Sequence, residues 1–297
     1  MRNAGGDKPK RMLVAENIYC YTNQYYMMSN TYRKYRYSLI LLRELVITEF
    51  KLRYQGSVLG YLWSLLKPLF LFAILYYVFV FFLKIGEGIP HWPVSMLLGI
   101  VLWNFFAEIT NNGLSAIVGR GDVIRKINFP KYVIILASSV SALINLLLNF
   151  VVIAVFMVLN GVDLSWSALL TPLYIIELLA FGVGLAFILS TLYVKFRDTN
   201  YIWEIVMQAL FYGSAVIYPI AMVVDKSSDL ASLLLLNPIA QSIQDVRHVL
   251  ISDTNPTLFT LTQSPLLSLI PIGLVIVTLA VGAWYFKRRS PYFAEDV

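Results

Sequence analysis

Apolar residues come in long blocks along this chain, and the charged ones are confined to the gaps between them. The first block sets the pattern. From Arg43 to Phe82, a charged, helix-forming stretch runs through Gln55, Gly56 and Ser57 to Trp63 and Pro68, and Leu69 to Leu83 then carry no charge. Basic residues, an aromatic at headgroup level and then apolar helix is the order in which a chain enters a bilayer. Six segments follow this logic: Leu62–Leu83, Val94–Ile117, Val133–Leu159, Leu169–Tyr193, Ile202–Val224 and Leu266–Phe286. Each is long enough to cross a hydrocarbon core of ~30 Å at ~1.5 Å per residue. The expected fold is an all-α integral membrane protein with six transmembrane helices over 62–286.

Ahead of the first span, 39–55 reads as an N-terminal amphipathic interface helix on the cytoplasmic surface. Leu39, Leu42, Val46 and Phe50 fall on one face, and Arg43, Glu44, Thr48 and Lys51 on another. Leu41 and Leu52 interrupt the polar face, and Glu49 and Arg53 have the spacing of an ion pair. Residues 1–38 are basic and tyrosine-rich without a clear period, which predicts a mostly irregular cytoplasmic tail with room for one short helix and no secretory leader. The loop 225–264, between spans five and six, differs from the others. Its apolar run Leu233–Ile243 is too short to span and is broken at Asn237-Pro238. Short, re-entrant helices on the outer face are expected there. Residues 287–297 form a second cytoplasmic tail.

Composition narrows the class. The chain is 59% hydrophobic and 13% charged over 297 residues, too little charge to cover a soluble surface. Its +6 net charge does not indicate nucleic acid, because the cations lie between apolar blocks rather than along one face. Of the 23 lysines and arginines, all but Lys84, Lys226 and Arg247 fall on one side under the six-span reading. That side is then cytoplasmic and holds both termini.

The candidate chemistry is sparse. Cys20 is alone and His91 and His248 are isolated, so no disulfide, metal cluster or catalytic dyad is expected. No GxxxxGK[ST] loop occurs, which places any ATP chemistry on a separate polypeptide. Within the spans, Glu108, Glu177 and Glu204 must face protein or water, and Glu108 is the one candidate for a lumen. Asn145 and Asn149 read as interhelical hydrogen-bonding partners, and Gly182, Ala186 and Ser190 as a small-residue stripe. Asp198 stands where it could cap the fifth span, with Arg197 beside it on the cytoplasmic side.

Five stretches carry a resemblance. They are RYQGSVLGYLWSLLKPL (Arg53–Leu69), GDVIRKINFPKYV (Gly121–Val133), FRD (Phe196–Asp198), VIYP (Val216–Pro219) and LNPIAQSIQDVRHVL (Leu236–Leu250). In order and spacing the chain from Arg43 to Val297 resembles the transmembrane subunit of ABC exporters of polysaccharides, the group that moves O-antigen, capsule or teichoic-acid chains. Ala215 departs from the pattern, standing where such proteins often have proline, and this argues against a kink at that point.

The resemblance implies a homodimeric channel in the bacterial inner membrane, with two ATPase subunits beneath it. The chain itself would be a transport subunit without a cofactor, ATP and Mg being held by the partner. The loop 119–131, with Asp122 capping a helix over 123–127 and Arg125 and Lys126 on it, is the expected coupling helix. Arg43, Glu44, Lys51 and Arg53 of the interface helix form a second expected ATPase contact. A lipid-linked polysaccharide would pass aromatic side chains, for which Tyr76, Tyr77, Phe211 and Tyr212 are the candidates, because sugar C–H faces stack on aromatic rings. Asn237, Pro238 and Arg247 would form the external gate. Two alternatives share much of this pattern: an ABC exporter of a small lipid or drug, and a membrane-embedded transferase acting on lipid-linked sugars.

Overall fold

The computed structural model of the chain describes residues 30–53, 60, 62–126 and 129–296. Expectations for the tail up to residue 29 and for Gln55–Ser57 lie outside the described residues, as do the side chains of Lys51, Arg53 and Lys126. Among the described residues every regular element is helical: α1 (Asn30–Arg53), α2 (Leu62–Leu75), α3 (Trp92–Ala116), α4 (Gly121–Lys126), α5 (Tyr132–Leu159), α6 (Thr171–Lys195), α7 (Thr199–Gly213), α8 (Ala221–Val224), α9 (Ser228–Leu235), α10 (Pro238–Leu250), α11 (Leu258–Thr262), α12 (Pro265–Arg289) and α13 (Phe293–Asp296). Among the described residues, five helical stretches are long and apolar enough to cross a membrane: Leu62–Phe82, Trp92–Ala116, Tyr132–Leu159, Trp166–Lys195 and Pro265–Glu295.

Helix α3 is the hub. Every residue from Val94 to Trp103 is buried, which only an interior helix allows. It packs between α5 and α6, and α6 in turn lies along α12. The expected small-residue stripe explains one of these approaches. Gly182, Ala186 and Ser190 are all buried, and a Cβ on Gly113 of α3 would run into Ala186. On the opposite side of α6, Gly184 meets Gly282 of α12 backbone to backbone. Small residues thus set both separations.

Helix α2 is the least covered span, with Pro68 and Phe72 its buried residues. Pro68 has no N–H for the Ser64 carbonyl one turn back, and the Asn149 side chain of α5 donates to that carbonyl instead, at 3.3 Å. Beyond Leu75 the helix widens into a π-helical run over Tyr76–Phe82, where aromatic and β-branched side chains crowd one another.

Three expectations need correction. First, α1 begins at Asn30, so the helix expected from 39 starts earlier and runs without a break out of the tail. Its packed face carries Ser38, Leu41 and Leu45, against α5 and the core, while Leu39 is 59% exposed. The Leu41 that seemed to interrupt the polar face therefore belongs to the buried one. Tertiary contact with α5 fixes this, and the Tyr132 hydroxyl donates to Ser38 Oγ at 3.5 Å. Second, Ile202–Val224 is not one helix. Helix α7 ends at Gly213, α8 resumes at Ala221, and Ala215 between them has a positive φ of 50°. The kink that the missing proline argued against is there. Third, α4 starts at Gly121, which places Asp122 inside the first turn, not at the cap. Asp198 does occupy the cap position of α7, but its side chain makes no cap hydrogen bond.

Candidate functional site

The break after α7 is held first by one side chain of α10. Arg247 is 1% exposed. Its Nε donates to the Ser95 carbonyl of α3 at 3.0 Å, Nη1 to the Ala215 carbonyl at 2.8 Å, and Nη2 to the Val216 carbonyl at 2.6 Å. The guanidinium also lies over the Trp92 ring, 5.2 Å from its centroid. A helix that stops inside the protein leaves carbonyls without partners, and a planar fork of donors is suited to collecting two or three of them. The cation that orders the break therefore lies 31 and 32 residues further along the chain.

A second tie reinforces the first. Asn237, at the cap of α10, accepts from the Ile239 N–H at 3.1 Å, while its Nδ2 donates to Ser214 Oγ at 3.0 Å. Pro238 occupies the first helical position, where its missing N–H costs nothing. Of the three expected gate residues, Asn237 and Arg247 thus each bond to the 214–216 stretch, and Pro238 follows Asn237 in the chain. The Tyr218 hydroxyl closes the loop onto the Tyr212 carbonyl at 2.8 Å.

At the other end of the helices the structure joins α1 to the loop ahead of α4, the two stretches expected to meet an ATPase. Arg120, just before α4, pairs with Glu49 of α1 at 2.9 Å. The expected Glu49–Arg53 pair involves a side chain outside the described residues. In α4, Ile124 is buried while Asp122 and Arg125 are exposed, so the short helix turns charge outward from an apolar anchor. Arg43 and Glu44 are likewise exposed on α1. The C-terminal tail packs under this assembly. Phe293 is buried against Phe286, with ring centroids 5.2 Å apart, and α13 lies against α4. Lys131 donates to the Ser290 carbonyl and stands over the Phe293 ring at 5.7 Å. Burial in this pocket pushes its ammonium below the usual lysine range.

The four expected channel aromatics do not gather within one chain. Tyr76 and Tyr77 are 39% and 64% exposed on the π-helical run that continues α2, which itself packs against α3 and α5. Tyr212 is 63% exposed on α7, which lies on α3 and α6. Phe211 turns inward, edge-on to Trp103 of α3 at 5.4 Å, and so belongs to the core rather than to the exposed flank. Glu177 faces α10 rather than lipid, and Glu108 accepts from Asn145 Nδ2 at 2.8 Å. Glu204 is exposed on α7.

These features define a class: a multi-pass helical membrane protein with a charged surface built from α1 and α4 and a braced break after α7, the membrane part of a transporter. The chain belongs to the ABC-2 type transporter family, which it matches over residues 40–251. Among its relatives, the O-antigen export system permease protein RfbA of Myxococcus xanthus is 30% identical over 86% of this chain and 95% of the relative. Its counterpart in Klebsiella pneumoniae is 31% identical over 88% of this chain and 98% of the relative. The family makes it a transport subunit, not an enzyme.

Proposed function

We propose that the chain is the channel-forming permease of an ABC exporter for a lipid-linked polysaccharide, of the kind its relatives' names specify as O-antigen. It lies in the bacterial inner membrane with both termini in the cytoplasm. It pairs with a second copy and carries two ATPase subunits, with their ATP and Mg, on the cytoplasmic surface formed by α1 and α4. Helix α7 with the 214–220 break serves as the remaining crossing, and α9 and α10 re-enter from the outer side.

One observation carries this reading: the π-helical continuation of α2 and helix α7 leave Tyr76, Tyr77 and Tyr212 uncovered on flanks that a single chain does not close. A two-fold pairing that sets α2 of one copy beside α7 of the other encloses a lumen with aromatic walls. Such walls let a glycan slide, because sugar rings stack without needing one deep site. ATP-driven closure beneath α1 and α4 shifts the Glu49–Arg120 unit, and the segment held by Arg247 and Asn237 acts as the outer gate.

The test is deletion of the gene in its host. Surface polysaccharide should vanish, its lipid-linked form should build up at the inner membrane, and a plasmid copy should restore export. Unaltered surface polysaccharide in the deletion strain would sink the reading.

A further inference from the structure

Between α2, α3 and α5 lies a cavity of about 440 Å³ whose lining does not suit a lipid-facing cleft. Five asparagines (Asn104, Asn111, Asn112, Asn145 and Asn149) and Glu108 line it. From Glu108 to Ala116 is two turns of α3, which sets the cavity roughly 12 Å from the cytoplasmic end of that helix. Its volume is within the range of ~300–1,000 Å³ usual for small-molecule sites.

Interhelical bonding accounts for only part of this polarity. Asn145 Nδ2 donates to Glu108, and Asn149 Nδ2 donates to the Asn145 and Ser64 carbonyls. Asn145, 5% exposed, keeps an Oδ1 with no hydrogen-bond partner among the described residues, and Asn112 keeps such an Nδ2. One is an acceptor and the other a donor. Polar groups left unpaired at membrane depth are costly unless something fills the space beside them.

The chemistry selects the occupant. Amides and a carboxylate offer donors and acceptors side by side, matching adjacent sugar hydroxyls, each of which both gives and takes a hydrogen bond. One carboxylate among amide N–H donors is a poor cation cage, and an acyl chain has nothing to pair with these groups. The mouth adds two further elements. Trp63 is 46% exposed there and presents a ring face for stacking. Lys67, also lining the cavity, supplies a positive charge at the cytoplasmic end of α2, where a phosphate joining sugar to lipid would lie.

We propose that this α2–α3–α5 cavity is a sugar-binding subsite that takes the membrane-proximal sugar of the exported glycan from the cytoplasmic side, Asn112, Asn145 and Glu108 reading hydroxyls and Trp63 stacking on the ring. The inference rests on the polysaccharide-export reading. The subsite differs from the aromatic flank of Tyr76, Tyr77 and Tyr212: it fixes one end of the substrate and leaves the chain behind it free to slide.

Two arms test it, using Trp63→Ala and Asn112→Leu, with Val158→Ala, at the far end of α5, as control. Each variant is first required to reach wild-type membrane levels and to elute as wild type does. In the deletion strain, the two cavity variants should restore at least ten-fold less surface polysaccharide than the wild-type chain, and the control should restore it fully. Full restoration by both cavity variants overturns the subsite while leaving the export function standing. Loss of no polysaccharide on deletion instead removes the export reading. In the second arm, the full chain in lipid nanodiscs is probed by saturation-transfer NMR with methyl glycosides of glucose, galactose, mannose and N-acetylglucosamine. At least one should give a signal with wild type that falls about ten-fold in both cavity variants. No signal from any of the four, or one that both variants keep, overturns the site independently of export.

Discussion

A Cβ added to Gly99 would fall inside contact distance of the Arg247 guanidinium, so a residue without a side chain sits where a fully buried cation reaches across α3. The same missing Cβ leaves room for the Val216 carbonyl, which accepts from Arg247 Nη2. Hub helix, broken helix and α10 therefore converge at one point, and the spacing between them is set by the absence of a methyl group.

Removing that cation should unfasten the break after α7. Arg247→Met leaves the Ser95, Ala215 and Val216 carbonyls without their donor, at about 1–3 kcal/mol for each that finds no replacement. The apparent melting temperature should drop by roughly 5–10 °C. Arg247→Lys, a point charge without the fork, should fall between. Gly99→Ala should cost about 1–3 kcal/mol by overpacking. Heating followed by size-exclusion chromatography in detergent measures all three, and a wild-type curve for Arg247→Met would contradict the clamp.

Two glycines of α12 should respond with opposite signs. A Cβ on Gly282 would collide with the Gly184 carbonyl of α6, whereas one on Gly273 meets nothing within 4 Å. Gly282→Ala should therefore cost about 1–3 kcal/mol by forcing α6 and α12 apart. Gly273→Ala should be neutral or gain up to ~1 kcal/mol, since alanine loses less freedom in a helix interior. The same melting assay decides. Equal effects at the two positions would show that helix propensity, not close approach, governs this pair.

How much of this was legible in the sequence differs from element to element. Helices α3, α5 and α12 begin and end within a few residues of the apolar blocks that predicted them, because a bilayer demands length and apolarity and little else. The Asn237-Pro238 break was also legible, since cap and first-turn preferences are local. The break at 214–220 was not. Its apolar run continues unbroken through VIYP, and the groups that stabilise it come from Arg247 and Asn237, distant in sequence. The face of α1 failed for a related reason: Leu41 and Leu45 are chosen by α5, not by the helix's own pattern. The polar cavity stood half-visible. Glu108, Asn145 and Asn149 were singled out separately, but only the fold brings Asn104, Asn111 and Asn112 beside them.

Under the proposed function, the Glu49–Arg120 pair should transmit force between α1 and the loop 119–131. Both side chains are partly covered, 16% and 25% exposed, so screening reduces the pair without abolishing it. Glu49→Arg and Arg120→Glu should each impair export, and the double exchange should recover part of it. A double-mutant cycle on thermal stability should give a coupling of about 1 kcal/mol that shrinks with added salt. Additive losses in export and stability would mean that the two surfaces work separately.

Helix α4 and the residues at its end carry the cations of the proposed ATPase contact. Ile124 anchors α4 to the core, and Arg125 points outward beside Asp122 in the loop that also carries Lys126. Reversing both cations in Arg125→Glu/Lys126→Glu leaves the apolar anchor in place, so stability should stay within about 0.5 kcal/mol of wild type, as for surface changes generally. If these cations face an ATPase groove, the reversal repels the partner where it docks. Export should then fall at least ten-fold, and less ATPase subunit should co-purify with the tagged chain, the deficit widening as salt is lowered. The opposite result is equally readable. Wild-type export with undiminished ATPase recovery would reduce Arg125 and Lys126 to markers of the cytoplasmic side, and docking would have to be carried by α1 through Arg43 and Glu44.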